Sequence, residues 1–361
     1  VEIISITNHD QPAFQGEIAL GLWEHRIPKT QKHQAREWEL EKTAGVPVTD
    51  VAMPMLSQYT PAYRRVLEQH AKNAEIIVIS HPYLVNEGLR LTGKHKLIYE
   101  AHNVEYDLKK RLLKPDAKKL IDEVFRVEKL CCDKASLIMT CSEEDSLRLA
   151  ELYNVNSDKF VVVPNGVDTA ETPFTSLDQR YKNKKKLGLE NETLVLFMGS
   201  WHPPNLEACE EIFKMARQLP EVKFLLMGSQ CLAFENRNIP SNVGLLGIVD
   251  DDEKRLILSI VDIALNPMQS GSGTNLKMFD YMAAGIPIIS TEFGARGIDI
   301  KKHLIISNVE KMPERIFEIM QDNQEKRKQI IHSGYKLIRE NFDWQRIASI
   351  LNQKLESLNI I

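Results

Sequence analysis

Between Asp262 and Ser290 the chain reads DIALNPMQSGSGTNLKMFDYMAAGIPIIS. A short apolar run ends at Asn266-Pro267, and a loop with Gly271, Ser272 and Gly273 follows. A helical pattern then starts near Thr274 or Asn275 and ends at Gly285. Glycine lets the backbone approach a ligand closely. A helix start offers unpaired N–H groups and the positive end of a dipole, which suit a phosphate. Lys277 and Asp280 are three apart and share a helix face. The cation suits a diphosphate, and the carboxylate one turn on suits sugar or ribose hydroxyls. The same spacing also fits a plain strand–loop–helix unit with a surface Lys–Asp pair.

Histidines mark further positions. His102 follows the apolar run 96–101 and precedes a helical pattern, so it sits at a sheet's carboxyl edge, poised for proton or hydroxyl chemistry or for capping. His81 ends the preceding run, before Pro82-Tyr83. His202, in Gly199-Ser200-Trp201-His202, either faces an anion or begins a helix. Asp250-Asp251-Asp252 contains an Asp-x-Asp, a metal-chelating pattern elsewhere. Its place before a helical run favours first-turn acids that stabilise the dipole. No other metal-ligand spacing stands out, so no metal and no cofactor are expected. Lys184-Lys185-Lys186 reads as a solvated helix face.

These residues need a scaffold. Runs 75–80, 96–101, 137–141 and 160–164 read as buried strands, separated by helical stretches 82–91, 104–113, 116–134 and 143–153. The alternation resumes with strands 194–198, 222–227, 243–246, 262–266 and 286–290, and helices near 203–218, 251–259, 275–284 and 309–321. Such alternation implies an α/β protein with parallel sheets covered on both faces. The 361 residues exceed what one core usually serves. The punctuation Pro164-Asn165-Gly166 marks the junction. Residues 342–358 carry a helical apolar stripe through Trp344, Ile347, Leu351 and Leu355, which needs a partner surface. Apolar residues make up 43% and charged residues 27%, a globular profile, and the net charge of −4 gives nucleic acid no electrostatic purchase. No apolar run reaches the roughly 18 residues that span a bilayer. The five scattered cysteines suit reduced thiols in the cytoplasm.

The run GSGTNLKMFDYMAAGIPIIS resembles the donor-site signature of retaining glycosyltransferases of family 4, which have the GT-B fold. VPNGVD (163–168), LFMGSWHPPN (196–205) and EAHNVE (100–105) resemble, in order, that family's interdomain junction, the opening of its C-terminal domain and an acceptor-side loop. The resemblance covers nearly the whole chain. It implies two Rossmann-like domains facing across a cleft: an N-terminal acceptor domain, 1–167 with 342–361 returning to it, and a C-terminal nucleotide-sugar domain, 168–341. The tail helix, with Trp344 as anchor, is expected on the N-terminal domain. The resemblance also implies sugar transfer from a nucleotide-sugar donor with retained configuration.

Position by position, the second of the family's two donor-site glutamates matches Asp280 and the first matches Ser272. Gly199 matches the first loop, which here lacks the family's Arg and Lys, leaving Lys277 as the counter-charge. Amides of Gly273, Thr274 and Asn275 would hold the phosphates, with Ile248 against the base. His102 lies near the sugar, and it and Lys277 are the expected catalytic groups. Preorganised donors and a cation at the departing diphosphate would do the work without metal. A nucleotide-sugar epimerase and a non-catalytic nucleotide-sugar-binding protein are the rivals, the latter because of Ser272. A dinucleotide oxidoreductase is disfavoured because no G-x-G-x-x-G follows a strand.

Two expectations concern the edges of this reading. A Rossmann-like half normally opens with a strand, a tight turn and a helix. Only about ten residues separate Thr7 from the run at Ile18, too few for a parallel crossover through a helix. The N-terminal domain is therefore expected to begin at its second strand, without its first βα unit. The basic stretch KKRLLKPDAKK (109–119) reads as a solvated helix end over a buried Leu112-Leu113 pair. A peripheral contact with anionic lipid is the alternative, since relatives glycosylate lipid-linked acceptors.

Overall fold

The computed structural model describes residues 1–91, 95–271, 274–296, 303–321, 324–358 and 360. Two compact units result, one of residues 1–164 with 354–361 and one of residues 165–353.

The first unit opens with β1 (Glu2–Thr7), β2 (Phe14–Ala19) and β3 (Leu22–Pro28) in a three-stranded sheet ordered β1-β3-β2. β1 and β3 run parallel, yet no helix joins them. β2 turns back antiparallel onto β3, and Gly21 at φ +74 closes the turn. The run at Ile18 is thus a hairpin strand, the short connection the spacing demanded. β1 leads into no helix, whereas β3 leads into α1 (Gln31–Ala44), whose start Thr30 caps by accepting from the His33 amide. Then come α2 (Met53–Leu56), α3 (Pro61–Ala71), β4 (Ile76–Ser80), α4 (Val85–Leu89), β5 (Lys96–Ala101), α5 (Glu105–Leu112), α6 (Lys118–Lys134), β6 (Leu137–Thr140), α7 (Glu143–Tyr153) and β7 (Phe160–Val162).

β4 to β7 form a parallel sheet in chain order. Leu97, Ile98 and Tyr99 are buried in succession, as expected for a strand covered on both faces. The expected helix 82–91 is instead a 3₁₀ turn at Pro82–Leu84 followed by the short α4, because His81 at φ 58 swings the chain off the strand end.

The second unit contains α8 (Leu177–Lys186), β8 (Thr193–Met198), α9 (Pro203–Gln218), β9 (Val222–Met227), β10 (Val243–Gly247), α10 (Asp251–Ile260), β11 (Ile263–Asn266), α11 (Lys277–Ala283), β12 (Ile288–Ser290), β13 (Ile305–Ile306), α12 (Met312–Gln321) and α13 (Gln324–Leu337). Its six strands are all parallel, in the order β10-β9-β8-β11-β12-β13. This is the doubly wound order of a Rossmann fold, with its reversal between β8 and β11. Separate apolar clusters cover the two faces, one around Phe197, Phe213 and Phe224 and the other around Leu196, Phe279 and Tyr281.

A buried Arg180 ties this unit together. Its Nη1 donates to the carbonyls of Leu258 and Val261, and its Nη2 to those of Ala284 and Gly285. Carbonyls at the ends of α10 and α11 thereby find partners. The lysine run departs from a plain solvated face, because Lys184 is buried and donates to Asp262 at 2.6 Å.

The last helix, α14 (Trp344–Ser357), straddles the division: residues to 353 belong to the second unit and those from 354 to the first. Trp344 is not a buried anchor, being 46% exposed, with its ring beside Gly166. Ile347 is the buried residue of that turn. At the far end Ile360 packs with Ile98 and Leu137 of the first unit's sheet.

Candidate functional site

The reversal between β8 and β11 opens a crevice at the carboxyl ends of the strands, the usual ligand position in this topology. A cavity of about 670 Å³ lies there, reached by Met198 and Gly199 at the end of β8, Met227 and Gly228 at the end of β9, and Met268 after β11. Of the residues singled out from sequence, Gly199, His202, Ile248, Thr274, Asn275, Lys277 and Asp280 all line it. Ser272 and Gly273 lie outside the described residues.

The glycine geometry at its floor is demanding. Gly228 sits at φ +122, and a Cβ there would stand 1.9 Å from the Gly199 carbonyl oxygen. Only glycine lets these two loops touch.

Helix α11 begins at Lys277, later than the spacing suggested. Asn275 Nδ2 donates to the Gly294 carbonyl at 2.7 Å, which pins the preceding loop to the turn after β12 and delays the helix. The Thr274 and Asn275 backbone therefore belongs to the loop ahead of the helix, not to its first turn.

Lys277 and Asp280 nevertheless face the same cavity, as their spacing required. The Lys277 ammonium lies 4.1 Å from the Phe197 ring centroid and donates to Asn205 Oδ1 at 2.9 Å. Among the described residues no carboxylate pairs with it. Burial against the apolar floor pushes its pKa down to about 7. Asp280 accepts from Lys254 Nζ at 2.9 Å and lies 3.5 Å from Thr172 Oγ1.

Arg296, Lys254 and Asn205 are among the cavity residues not singled out from sequence. Arg296 stands over Phe293, 4.1 Å from the ring centroid, and partial burial lowers its pKa. It supplies a second cation from the turn after β12, where the loop after β8 has none. Lys254 and Asn205 hold Asp280 and Lys277 from α10 and α9. Only the fold brings these helices to one crevice, so chain spacing carried no signal for them.

Ile248, 74% exposed, forms a rim with Val249. His202 occupies the N-cap position of α9 without a side-chain capping bond and lines the cavity.

Asp250 acts as the dipole argument expected. It accepts from the Glu253 amide at 2.8 Å while Glu253 accepts from its own, a reciprocal capping box, and Asp252 pairs with Arg255.

In the first unit a polar group gathers at the carboxyl edge of β4 and β5. The rings of His81 and His102 stack at 4.4 Å. His102 Nε2 lies 3.1 Å from Ser80 Oγ and 3.4 Å from Glu100 Oε2. The hydrogen bond that the Glu100 carboxylate accepts from it raises the His102 pKa above its ordinary value. His81 Nδ1 lies 3.1 Å from Glu105, which also accepts from Tyr83. Burial alone would push Glu105 up, but the bonds from His81 and Tyr83 and the nearby Lys109 hold it below the usual range.

Behind it the buried Glu128 accepts from the amides of Glu105 and Tyr106 and from the hydroxyls of Tyr99 and Tyr153. Glu128 thus fixes the start of α5. Burial pushes its pKa up to about 7 against these donors. The Glu105 and Glu128 roles escaped sequence reasoning because their partners come from other elements or from the turn at His81.

In the basic stretch 109–119, Leu113 is buried but Leu112 is 57% exposed, so only half of the expected pair enters the core. Lys109 is spent on Asp50, and Lys110 lies over the Tyr106 ring. All five cysteines are unbridged. No helix among the described residues is long and apolar enough to cross a membrane.

Two family models match the chain: glycosyl transferases group 1 over residues 192–322 and glycosyltransferase family 4 over residues 25–171. The two Rossmann-like units, and the solved structures that share them, show the GT-B fold.

The chain is similar to the phosphatidyl-myo-inositol mannosyltransferase of Mycolicibacterium smegmatis, 21% identical over 60% of this chain and 56% of that protein. It is also similar to the putative glycosyltransferase YtcC of Bacillus subtilis, 24% identical over 65% of this chain and 60% of that one. It therefore spans less than two thirds of the length of either relative.

Among solved structures, sucrose-phosphate synthase of Thermosynechococcus elongatus shares the fold at a TM-score of 0.72. The likeness covers 99% of this chain and 88% of that one, with 15% identity. Anabaena HepE, solved in complex with UDP, aligns at 0.62 over 85% and 84%, with 18% identity.

Proposed function

We propose that the protein transfers a sugar from a nucleotide-sugar donor, held in the Lys277 cavity, to an acceptor hydroxyl, with retained anomeric configuration and without a metal ion. The observation that carries this reading is the Lys277 ammonium. It is a cation lodged in a crevice at the topological switch point, with no carboxylate to neutralise it among the described residues. An anionic ligand supplies the missing charge.

The donor bond breaks between the anomeric carbon and a phosphate oxygen, and negative charge grows on the departing diphosphate. Lys277 and Arg296 stabilise that charge, with loop amides near Thr274 and Asn275, in a site that needs no rearrangement at the moment of reaction. Asp280, steadied by Lys254, accepts from ribose hydroxyls, and Ile248 and Val249 lie against the base. His102 and His81, with Glu100 and Glu105, serve the acceptor side. Asp250, Asp252 and Glu253 are engaged in capping and ion pairs, which favours a transfer that uses cationic side chains in place of a metal.

The relatives' names support the reading: one is a mannosyltransferase, and HepE was solved with UDP. The test is incubation with UDP-, GDP- and ADP-sugars and a panel of hydroxyl acceptors, with chelator added. Nucleoside diphosphate released only with acceptor, and equally in chelator, supports it. Conversion of the sugar with no acceptor present identifies an epimerase. Binding with no turnover on any acceptor leaves a nucleotide-sugar-binding protein and overturns the proposed reaction.

A further inference from the structure

Away from the edge at His102, the first unit gathers three metal-ligand side chains from three elements. Glu2 on β1 and His25 on β3 share one face of the small sheet, because Glu2 pairs with Trp23 and His25 lies two residues on. Helix α3 packs on β1 and brings His70, in its last turn, over that face. His25 Nε2 lies 2.6 Å from Glu2 Oε2, and His70 Nδ1 lies 3.6 Å from the same oxygen. The two imidazoles meet at 4.1 Å between centroids, and one ligand atom from each residue falls within 4.8 Å of the others.

We propose that Glu2, His25 and His70 form a site for a divalent transition-metal ion of the zinc type. Two imidazole nitrogens and a carboxylate oxygen are a borderline donor set, suited to zinc and cobalt and poor for magnesium or calcium. Zinc holds such ligands at about 2.0–2.2 Å, so neighbouring tetrahedral corners lie roughly 3.4 Å apart. The His70–Glu2 separation already has that length. The His25–Glu2 contact must open by somewhat less than 1 Å. Glu2 can move to allow it, its side chain being 42% exposed, whereas the His25 side chain is 5% exposed and fixed by the sheet. The exposed side of Glu2 leaves a fourth position for water.

The carbonyl end of α3 favours positive charge beside His70. Without metal the same groups make a carboxylate shared by two histidines, so metal competes with protons for the site. Bound metal would lock β1, β3 and α3 together.

The test is calorimetric titration of the full chain with zinc chloride at pH 7.5, alongside cobalt(II) absorption spectra. One equivalent bound is expected, together with a cobalt spectrum of nitrogen–oxygen ligation and a higher Tm with zinc. His70→Ala and Glu2→Gln should each weaken binding at least about tenfold, since one of three protein bonds to the ion is lost. Glu2→Gln preserves volume at a half-exposed position, so it reports on binding even where His70→Ala fails to fold. No zinc binding, or equal binding by the folded variants, overturns the proposal.

Discussion

The cavity at Lys277 and the edge at His102 both lie at the carboxyl ends of parallel strands, yet their polar groups are spent differently. In the cavity Lys277 meets a neutral amide oxygen, an aromatic face and the Met268 sulfur, and no carboxylate among the described residues. At the edge each histidine has a carboxylate within 3.4 Å, and Glu105 is held in turn by Tyr83 and by a helix start that Glu128 fixes. A cation without a counter-charge is arranged to receive an anion. A histidine already paired with a carboxylate is arranged to hold or pass a proton at a hydroxyl. On this account the two regions divide one reaction, with leaving-group charge in one unit and the acceptor's proton in the other.

That division can be broken by mutation. Lys277→Ala should cut turnover by about 100-fold or more, the scale of losing one donor to a developing oxyanion. His102→Asn should also lower turnover, by about 100-fold as for a lost acid–base group, but leave nucleoside diphosphate affinity unchanged in calorimetry. If His102→Asn weakens nucleotide binding as much as Lys277→Ala does, the two regions are not separate in function.

Within the cavity, Arg296→Ala should weaken nucleoside diphosphate binding about tenfold, the order of one charge-assisted hydrogen bond. Asp280→Ala should weaken nucleoside diphosphates while sparing inorganic diphosphate, because it removes the ribose partner and keeps Lys277 and Arg296. Dissociation constants for the two ligands separate these outcomes.

The pH dependence follows from Lys277. With a folded pKa near 7 against an ordinary 10.5, the free protein holds this lysine neutral above pH 7, where the unfolded chain still holds its proton. Stability therefore gains as pH rises from about 7 to 10.5, and Lys277→Met should flatten that gain in denaturant titrations. The smallest effect concerns the basic stretch. With Lys109 paired and Leu113 buried, sedimentation with anionic vesicles at low salt should be weak and should vanish at physiological salt. Strong, salt-sensitive binding would assign this face to a lipid-linked acceptor.

Much of the second unit was legible because its strands are short, apolar and regularly spaced, and its chemistry sits on one strand–loop–helix segment. Lys277 and Asp280 could be placed together from a spacing of three. Arg296, Lys254 and Asn205 could not, since each arrives from a different helix or turn. In the first unit β4 to β7 were readable from apolar runs. The stretch 28–74 was not, because α1 carries buried His33, Gln34 and Glu37 where an apolar stripe would be sought. Those groups are buried with Lys29 2.6 Å from Glu37 and Thr60 2.7 Å from His33, while His33 Nε2 and Glu37 Oε2 find no hydrogen-bond partner among the described residues. The break at His81 needs a positive φ at a non-glycine residue, which no composition rule forecasts.

The central claim is that the Lys277 amino group, which has no carboxylate partner among the described residues, receives the donor's diphosphate as a cation. Calorimetry of UDP, GDP and ADP binding, run at pH 8.5 in two buffers of different ionisation enthalpy, tests it most directly. The account predicts that the preferred nucleotide binds with uptake of close to one proton, because the arriving anion restores the Lys277 charge. It predicts that this uptake disappears at pH 6, where the lysine is already charged, and that Lys277→Met abolishes both uptake and tight binding. Nucleotide binding of equal strength in Lys277→Met, with the same proton uptake, would contradict it.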